Sequence, residues 1–171
     1  MYGTLEQAQD GRYRLRFVRT LAHPIERVWA AISEPDQLAL WFPTTIEGER
    51  RTGAPLRFSF PGDQAPPFNG ELLAYEPPAV LEIRWGTDVV RIELREVEPG
   101  TELTLLDTLE EQGKAARDGA GWHTCLDALE AGLDGEADAW THMDTWREVH
   151  PVYIEQFGPE AATIGPPEGF E

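Results

Sequence analysis

The chain has 171 residues, 41% of them hydrophobic and 10% aromatic, which suits one domain with a sizeable core and describes a globular rather than a disordered protein. Fourteen basic residues stand against thirty-one acidic ones, and the resulting net charge of -17 disfavours nucleic acid or an anionic membrane surface as a partner. Cys125 is the single cysteine, so neither an internal disulfide nor a thiolate-rich metal site can form.

In chain order, Thr4 to Gln9 and Tyr13 to Leu21 flank Asp10-Gly11, which predicts two strands and a two-residue hairpin turn with both central residues at positive φ. Pro24 punctuates the chain, and Ile25, Val28, Trp29 and Ile32 then carry helical spacing. Ser33-Glu34-Pro35 breaks this helix and starts a second, shorter one whose buried side is Leu38, Trp41 and Phe42. Pro43 to Pro55 reads as a loop. Leu56, Phe58 and Phe60 alternate with Arg57 and Ser59 as a half-buried strand. After a proline-rich turn, Asn69–Tyr75, Val80–Trp85, Val89–Val97 and Thr101–Glu110 read as strands joined by tight turns. Arg84, Arg91 and Arg95 fall on their outer face, where pairing with Glu82 and Glu93 is expected.

The longest periodic segment is Lys114 to Leu133. Ala115, Trp122, Cys125, Leu126, Leu129 and Leu133 share one side of the helix, while His123, Thr124, Asp127, Glu130 and Ala131 fall on the other, expected to be wet. Gly119 and Gly121 weaken this helix by up to about 1 kcal/mol each, which points to close approach by another element, such as the Trp41 region, or to a mobile entrance. Ala137 to Phe157 predicts one or two helices interrupted at Pro151, with Trp140, Met143, Trp146, Val149, Tyr153 and Phe157 packing on the body or on a twin subunit in a homodimer. The remaining tail is expected to be loose or to hug the surface. Residues 1–135 are read as one domain and 136–171 as a helical extension and tail on the same body. No apolar run reaches the roughly 20 residues of a membrane span, and the first residues lack the basic region and apolar core of a signal peptide, so a cytoplasmic location is expected.

Two motifs carry a family resemblance. PIERVWAAISEPDQLALWF at the front supplies Pro24, Val28, Trp29, Pro35, Leu38 and Trp41, and GWHTCLDALEAGL at the back supplies Gly121, Trp122, Leu126 and Leu129. Over Tyr13 to Leu133 the chain resembles the START-like helix-grip superfamily (SRPBCC), in the branch named for homology to the C-terminal domain of the Hsp90 ATPase activator. The resemblance implies an α+β helix-grip fold, a curved antiparallel sheet wrapped around a long C-terminal helix, with two short helices after the first strands. It also implies either a lipid, hormone or polyketide ligand or a chaperone partner.

Strand alternation turns Phe58, Phe60, Ile83, Trp85, Ile92 and Leu105 toward this helix, with Trp41, Phe42, Trp122 and Leu126 at its wall and end. These residues either fill a core or line a cavity for a small apolar molecule. In LTLLDTLE, Asp107 shares the face of Leu103, Leu105 and Leu109, where a carboxylate is costly unless paired. It either ends its strand near water or faces the cavity, binding a polar ligand group or acting as a base. Asp118 is read as solvated in the first helical turns, where negative charge is favourable, or as joining Asp107 at the mouth. His23, His123, His142 and His150 lack ligand spacing, so no metal or cofactor is expected, and no catalytic residue is assigned. The leading expectation is a binder of a small apolar or amphipathic molecule rather than an enzyme. The alternatives are a protein-interaction module related to Hsp90 ATPase activation, and a cyclase- or hydrolase-like enzyme using Asp107 with a buried water.

Overall fold

In the computed structural model, residues 1–136 and 142–166 are described; expectations placed on Trp140, and on the side chains of His142 and Met143, lie outside them. Alternating apolar residues generate eight antiparallel strands: β1 (Thr4–Gln7), β2 (Tyr13–Leu21), β3 (Thr45–Glu47), β4 (Pro55–Ser59), β5 (Phe68–Glu76), β6 (Val80–Trp85), β7 (Asp88–Val97) and β8 (Gly100–Thr108). They form one sheet in the order β1-β2-β8-β7-β6-β5-β4-β3. Register pairs such as Phe17 with Leu105 and Ile92 with Leu105 bring the apolar residues of neighbouring strands to one face. That face carries the core: Phe17, Phe58, Ile83, Ile92, Leu103 and Leu105 are all buried.

Pro24 leads into α1 (Ile25–Ser33), which buries Ile25, Val28, Trp29 and Ile32, and Pro35 opens the single turn α2 (Pro35–Leu38). The indole of Trp41 donates to the Ala31 carbonyl at 2.8 Å, fixing the chain after α2 against α1. The long helix α3 (Ala115–Leu133) runs across the apolar face of the sheet, completing the helix-grip fold.

Three local expectations change. The first hairpin is wider than two residues: Gly11 N–H donates to Ala8, and Gly11 alone takes a positive φ, of 88°, while Asp10 does not. The Pro43–Pro55 loop contains β3, too short to show alternation. The face of α3 expected to be wet is covered in part, because α4 (His142–Phe157) packs against α3 and continues through Pro151 as one helix, while Asp127, Glu130 and Ala131 of that face stay only half-buried. His123 and Thr124 are therefore buried.

The buried polar groups on that face are satisfied in a chain. The Gly3 N–H donates to the Tyr153 hydroxyl at 2.8 Å, and that hydroxyl lies 2.8 Å from His123 Nδ1. On the other side of the ring, His123 Nε2 lies 3.5 Å from Asp127, whose second oxygen accepts from Arg19 at 2.8 Å. Burial pushes the Asp127 carboxyl up, but the hydrogen bonds from His123 and Arg19 outweigh it and hold the group below its usual range. Gly119 is the point of closest approach: a Cβ there would meet Phe157 at 3.3 Å and Tyr153 at 3.5 Å, so the close partner is α4 rather than the Trp41 region. Beyond α4, Ala161 is buried and Ile164 N–H donates to Gly113, so the described part of the tail hugs the surface.

On the outer sheet face, Arg91 pairs with Glu82 and Glu93, as the alternation predicts, and Arg95 pairs with Glu102 of β8. No helix among the described residues is long and apolar enough to cross a membrane.

Candidate functional site

Where the first half of α3 leaves the ends of β6, β7 and β8, an open cleft of about 440 Å³ remains. Its apolar walls are Pro43, Phe68, Trp85, Trp122 and Trp146, and its polar floor is Asp88, Asp107, Lys114, Arg117 and Asp118. Gly121 faces it with nothing within 4 Å of where a Cβ would stand. The rings form a continuous cluster, with Phe42 5.2 Å from Trp85 and 5.8 Å from Trp122, and Trp85 4.9 Å from Phe68.

Asp107 anchors the floor. Its register neighbours are Leu15 on β2 and Val90 on β7, so its carboxyl rises from an apolar surface and is 1% exposed. Oδ2 accepts a 2.8 Å hydrogen bond from the Trp122 indole, while Oδ1 has no hydrogen-bond partner among the described residues. Burial raises its pKa well above the usual 3.8, and the nearby Asp88 and Asp118 charges raise it further; Trp122 and Lys114 oppose the shift without cancelling it. Asp107 thus keeps its proton to higher pH than an ordinary carboxyl, and can donate as well as accept.

The two neighbouring carboxylates each have a cation. Asp88, also buried, accepts from Lys114 at 2.7 Å and from the Glu110 N–H at 3.0 Å. Asp118 accepts from Arg117 at 2.7 Å; burial raises its pKa, and the Arg117 contact opposes this. Asp118 therefore sits at the mouth with Asp107 rather than in open solvent. One oxygen from each of the three aspartates lies within 4.8 Å of the others, near enough to share a cation.

The eleven residues singled out by alternation divide between two places. Trp85, Asp107 and Trp122 line the cleft. Trp41, Phe42, Phe58, Ile83, Ile92, Leu105 and Leu126 are buried against one another in the core, and Phe60 is half-buried beside Phe68 at 6.0 Å. Among the spaces touching these core residues, two hold only about 10 Å³ each, about the room of a single water molecule. The interior around these residues is therefore filled; the cleft lies at the end of the grip, and a separate hollow of about 680 Å³ lies beside Trp29, Ile46, Arg50 and Tyr75.

Asp88, Phe68, Lys114 and Arg117 are cleft residues that alternation and periodicity alone did not single out, and Trp146, which periodicity gave to packing on the body or a twin subunit, borders the cleft as well. For two of them a signal was present. Asp88 has the parity of Val90, Ile92 and Leu94, and Phe68 that of Gly70 and Leu72, but both stand at strand starts where turn residues dominate the reading.

Cys125 also borders the cleft, and burial pushes its thiol up to about 12, which makes it a poor nucleophile.

The arrangement agrees with comparisons to known proteins. Residues 22–134 match the family model described as Activator of Hsp90 ATPase homolog 1-like protein. No curated protein sequence matches the chain. The structure of CalU16 from Micromonospora echinospora is similar at 22% identity and a TM-score of 0.71, covering 91% of this chain and 95% of that one. A conserved protein of unknown function from Enterococcus faecalis, EF2215, superposes with a TM-score of 0.76 at 21% identity, over 90% of this chain and 89% of that one. The Bordetella parapertussis protein encoded by BPP1335 reaches 27% identity and a TM-score of 0.69, over 91% and 92% of the two chains. These structures share the helix-grip fold, which commonly binds hydrophobic ligands. With two motifs, one fold and a match over 22–134 in agreement, the chain belongs to the Activator of Hsp90 ATPase homolog 1-like family.

Proposed function

We propose that the protein binds a small amphipathic molecule in the cleft between α3 and the ends of β6, β7 and β8. The aromatic walls would take its apolar body, and Asp107 its polar group. The observation that carries this reading is the unpartnered Oδ1 of Asp107, a buried residue that borders an aromatic-walled cleft of about 440 Å³. That volume falls within the range of small-molecule sites, and the mixture of apolar wall and few convergent polar groups is their usual composition. Leaving a polar atom unpaired in such a place is costly, and a ligand group that meets it removes the cost. The C-terminal aromatics give an interaction surface less support, since Tyr153 is buried and the Trp146 indole is turned inward, donating to the Arg117 carbonyl at 3.4 Å.

Isothermal titration with 2-naphthylmethanol, a neutral molecule with one aromatic body and one hydroxyl, tests the proposal. Saturable binding is expected in the parent protein. It is expected to be abolished by Gly121→Leu, which places a side chain in the open space beside Gly121. Heats without saturation, or undiminished binding in that variant, would refute it.

A further inference from the structure

The cleft floor holds three carboxyl groups but only two cations of the chain. Asp88 has Lys114 at 2.7 Å and Asp118 has Arg117 at 2.7 Å, so two of the three carboxylates are matched by cations of the chain. Asp107 has only the indole of Trp122, a neutral donor, and its Oδ1 is unpartnered. The missing cation, the unpartnered oxygen and the neighbouring cleft therefore coincide at one residue; an ammonium bound there takes the place of the proton that burial holds on Asp107, and that proton leaves to solvent. From this juxtaposition we infer that the cleft is selective for a ligand carrying an ammonium group on an aromatic or apolar body, the ammonium donating to Asp107 Oδ1. The inference rests on the cleft being a small-molecule site and names the class of molecule it takes.

Three further observations favour an ammonium. An ammonium offers several donors, so it can meet Oδ1 while facing the carboxylates of Asp88 and Asp118, which lie within 4.8 Å. Trp85, Trp122 and Phe68 border the same space, and aromatic rings attract an organic cation where they would only tolerate a neutral group. A net charge of -17 concentrates cations around the whole molecule and repels carboxylate-bearing ligands of similar shape. A divalent metal ion suits the floor less well. Its second charge has no unmatched carboxylate to meet, unless it displaces Lys114 from Asp88 or Arg117 from Asp118.

The test compares three molecules of one shape by isothermal titration at neutral pH and about 0.15 M salt, where long-range surface charge is screened: 2-naphthylmethylamine, 2-naphthylmethanol and 2-naphthylacetate. The amine is expected to bind about tenfold or more tightly than the alcohol, and the acetate more weakly than either. In Asp107→Asn, which keeps an oxygen to accept from Trp122, the amine is expected to bind no more tightly than the alcohol does to that same variant. That variant removes a single charge from a strongly acidic surface, so attraction to the surface as a whole would survive it. Equal affinity for amine and alcohol would overturn the inference and leave the cleft proposal standing. An amine advantage that persists in Asp107→Asn would overturn it in favour of surface charge. Displacement of the amine by millimolar CaCl2 or MgCl2, dependent on Asp107, would overturn it in favour of a metal site. Binding of none of the three would refute the cleft proposal as well.

Discussion

Asp107→Asn is expected to stabilise the folded protein at neutral pH, by an amount that depends on pH in a defined direction. The folded-state pKa of Asp107 is raised, chiefly by burial and then by Asp88 and Asp118. A raised pKa means that protonation stabilises the fold. This contribution is fully present below the usual 3.8 and is lost as pH climbs toward the folded value, because the unfolded chain releases its proton first. Each pH unit in that window costs the parent about 1.4 kcal/mol, and Asp107 is fully buried, so solvent screening does not reduce the figure. An asparagine has no proton to lose, still accepts from Trp122, and turns its amide toward the Asp88 and Asp118 carboxylates. The stability difference between variant and parent should therefore widen from pH 4 upward by about 1.4 kcal/mol per unit, then level off above the folded pKa. Urea unfolding followed by circular dichroism at half-unit steps from pH 4 to pH 8 measures it. A difference that is flat across this range, or a variant less stable than the parent at pH 7, would refute the argument that Asp107 is held protonated by its surroundings.

Three other outcomes follow from the same geometry. Tyr153→Phe deprives the Gly3 N–H and His123 Nδ1 of their common partner, and should lower unfolding stability by about 2 kcal/mol without changing binding at the cleft; an unchanged urea midpoint would contradict the role given to that hydroxyl. Lys114→Met leaves Asp88 buried without its cation and should cost about 3 kcal/mol, read from the same denaturant curves, and a loss below about 1 kcal/mol would show the pair to be solvated. Cys125, with its thiol pushed up to about 12, should react with iodoacetamide at pH 8 far more slowly in the folded protein than in urea; equal rates would mean that burial does not protect it.

Much of the frame was legible in the residues, and the reasons differ by element. Val80–Trp85 and Tyr13–Leu21 agree with their predicted bounds because apolar alternation persists for several residues between strong turn signals. β3 offers three residues, too few for a period. The outer face of α3 was misjudged because periodicity reports polarity, whereas burial also depends on which element covers the face. His123 looks like a surface residue until Tyr153 arrives from far away in the chain, whereas Asp127 stays half-exposed beside Arg19. At the site, parity placed Asp107 inward with Leu103 and Leu105. It could not separate the end of the strand, where space remains, from its middle, where Leu105 is packed; alternation assigns a side, and only the summed volumes of facing side chains decide whether that side is filled. Lys114 acquires its role only when the chain entering α3 meets Asp88 at the start of β7, whereas Arg117 pairs with Asp118 within α3.

The order of strands leaves two edges, and both are brief. β1 has four residues and β3 three, each with glutamate in its short span, whereas the long apolar strands β7 and β8 lie inside the sheet. An intruding chain would find few free backbone donors and acceptors to pair with before reaching a turn. It would also meet a surface of net charge -17 that repels a second copy. A fold that keeps an open, aromatic-lined cleft on its surface carries an inherent risk of self-association. The brevity and acidity of its sheet margins give this chain a means of remaining dispersed at high concentration.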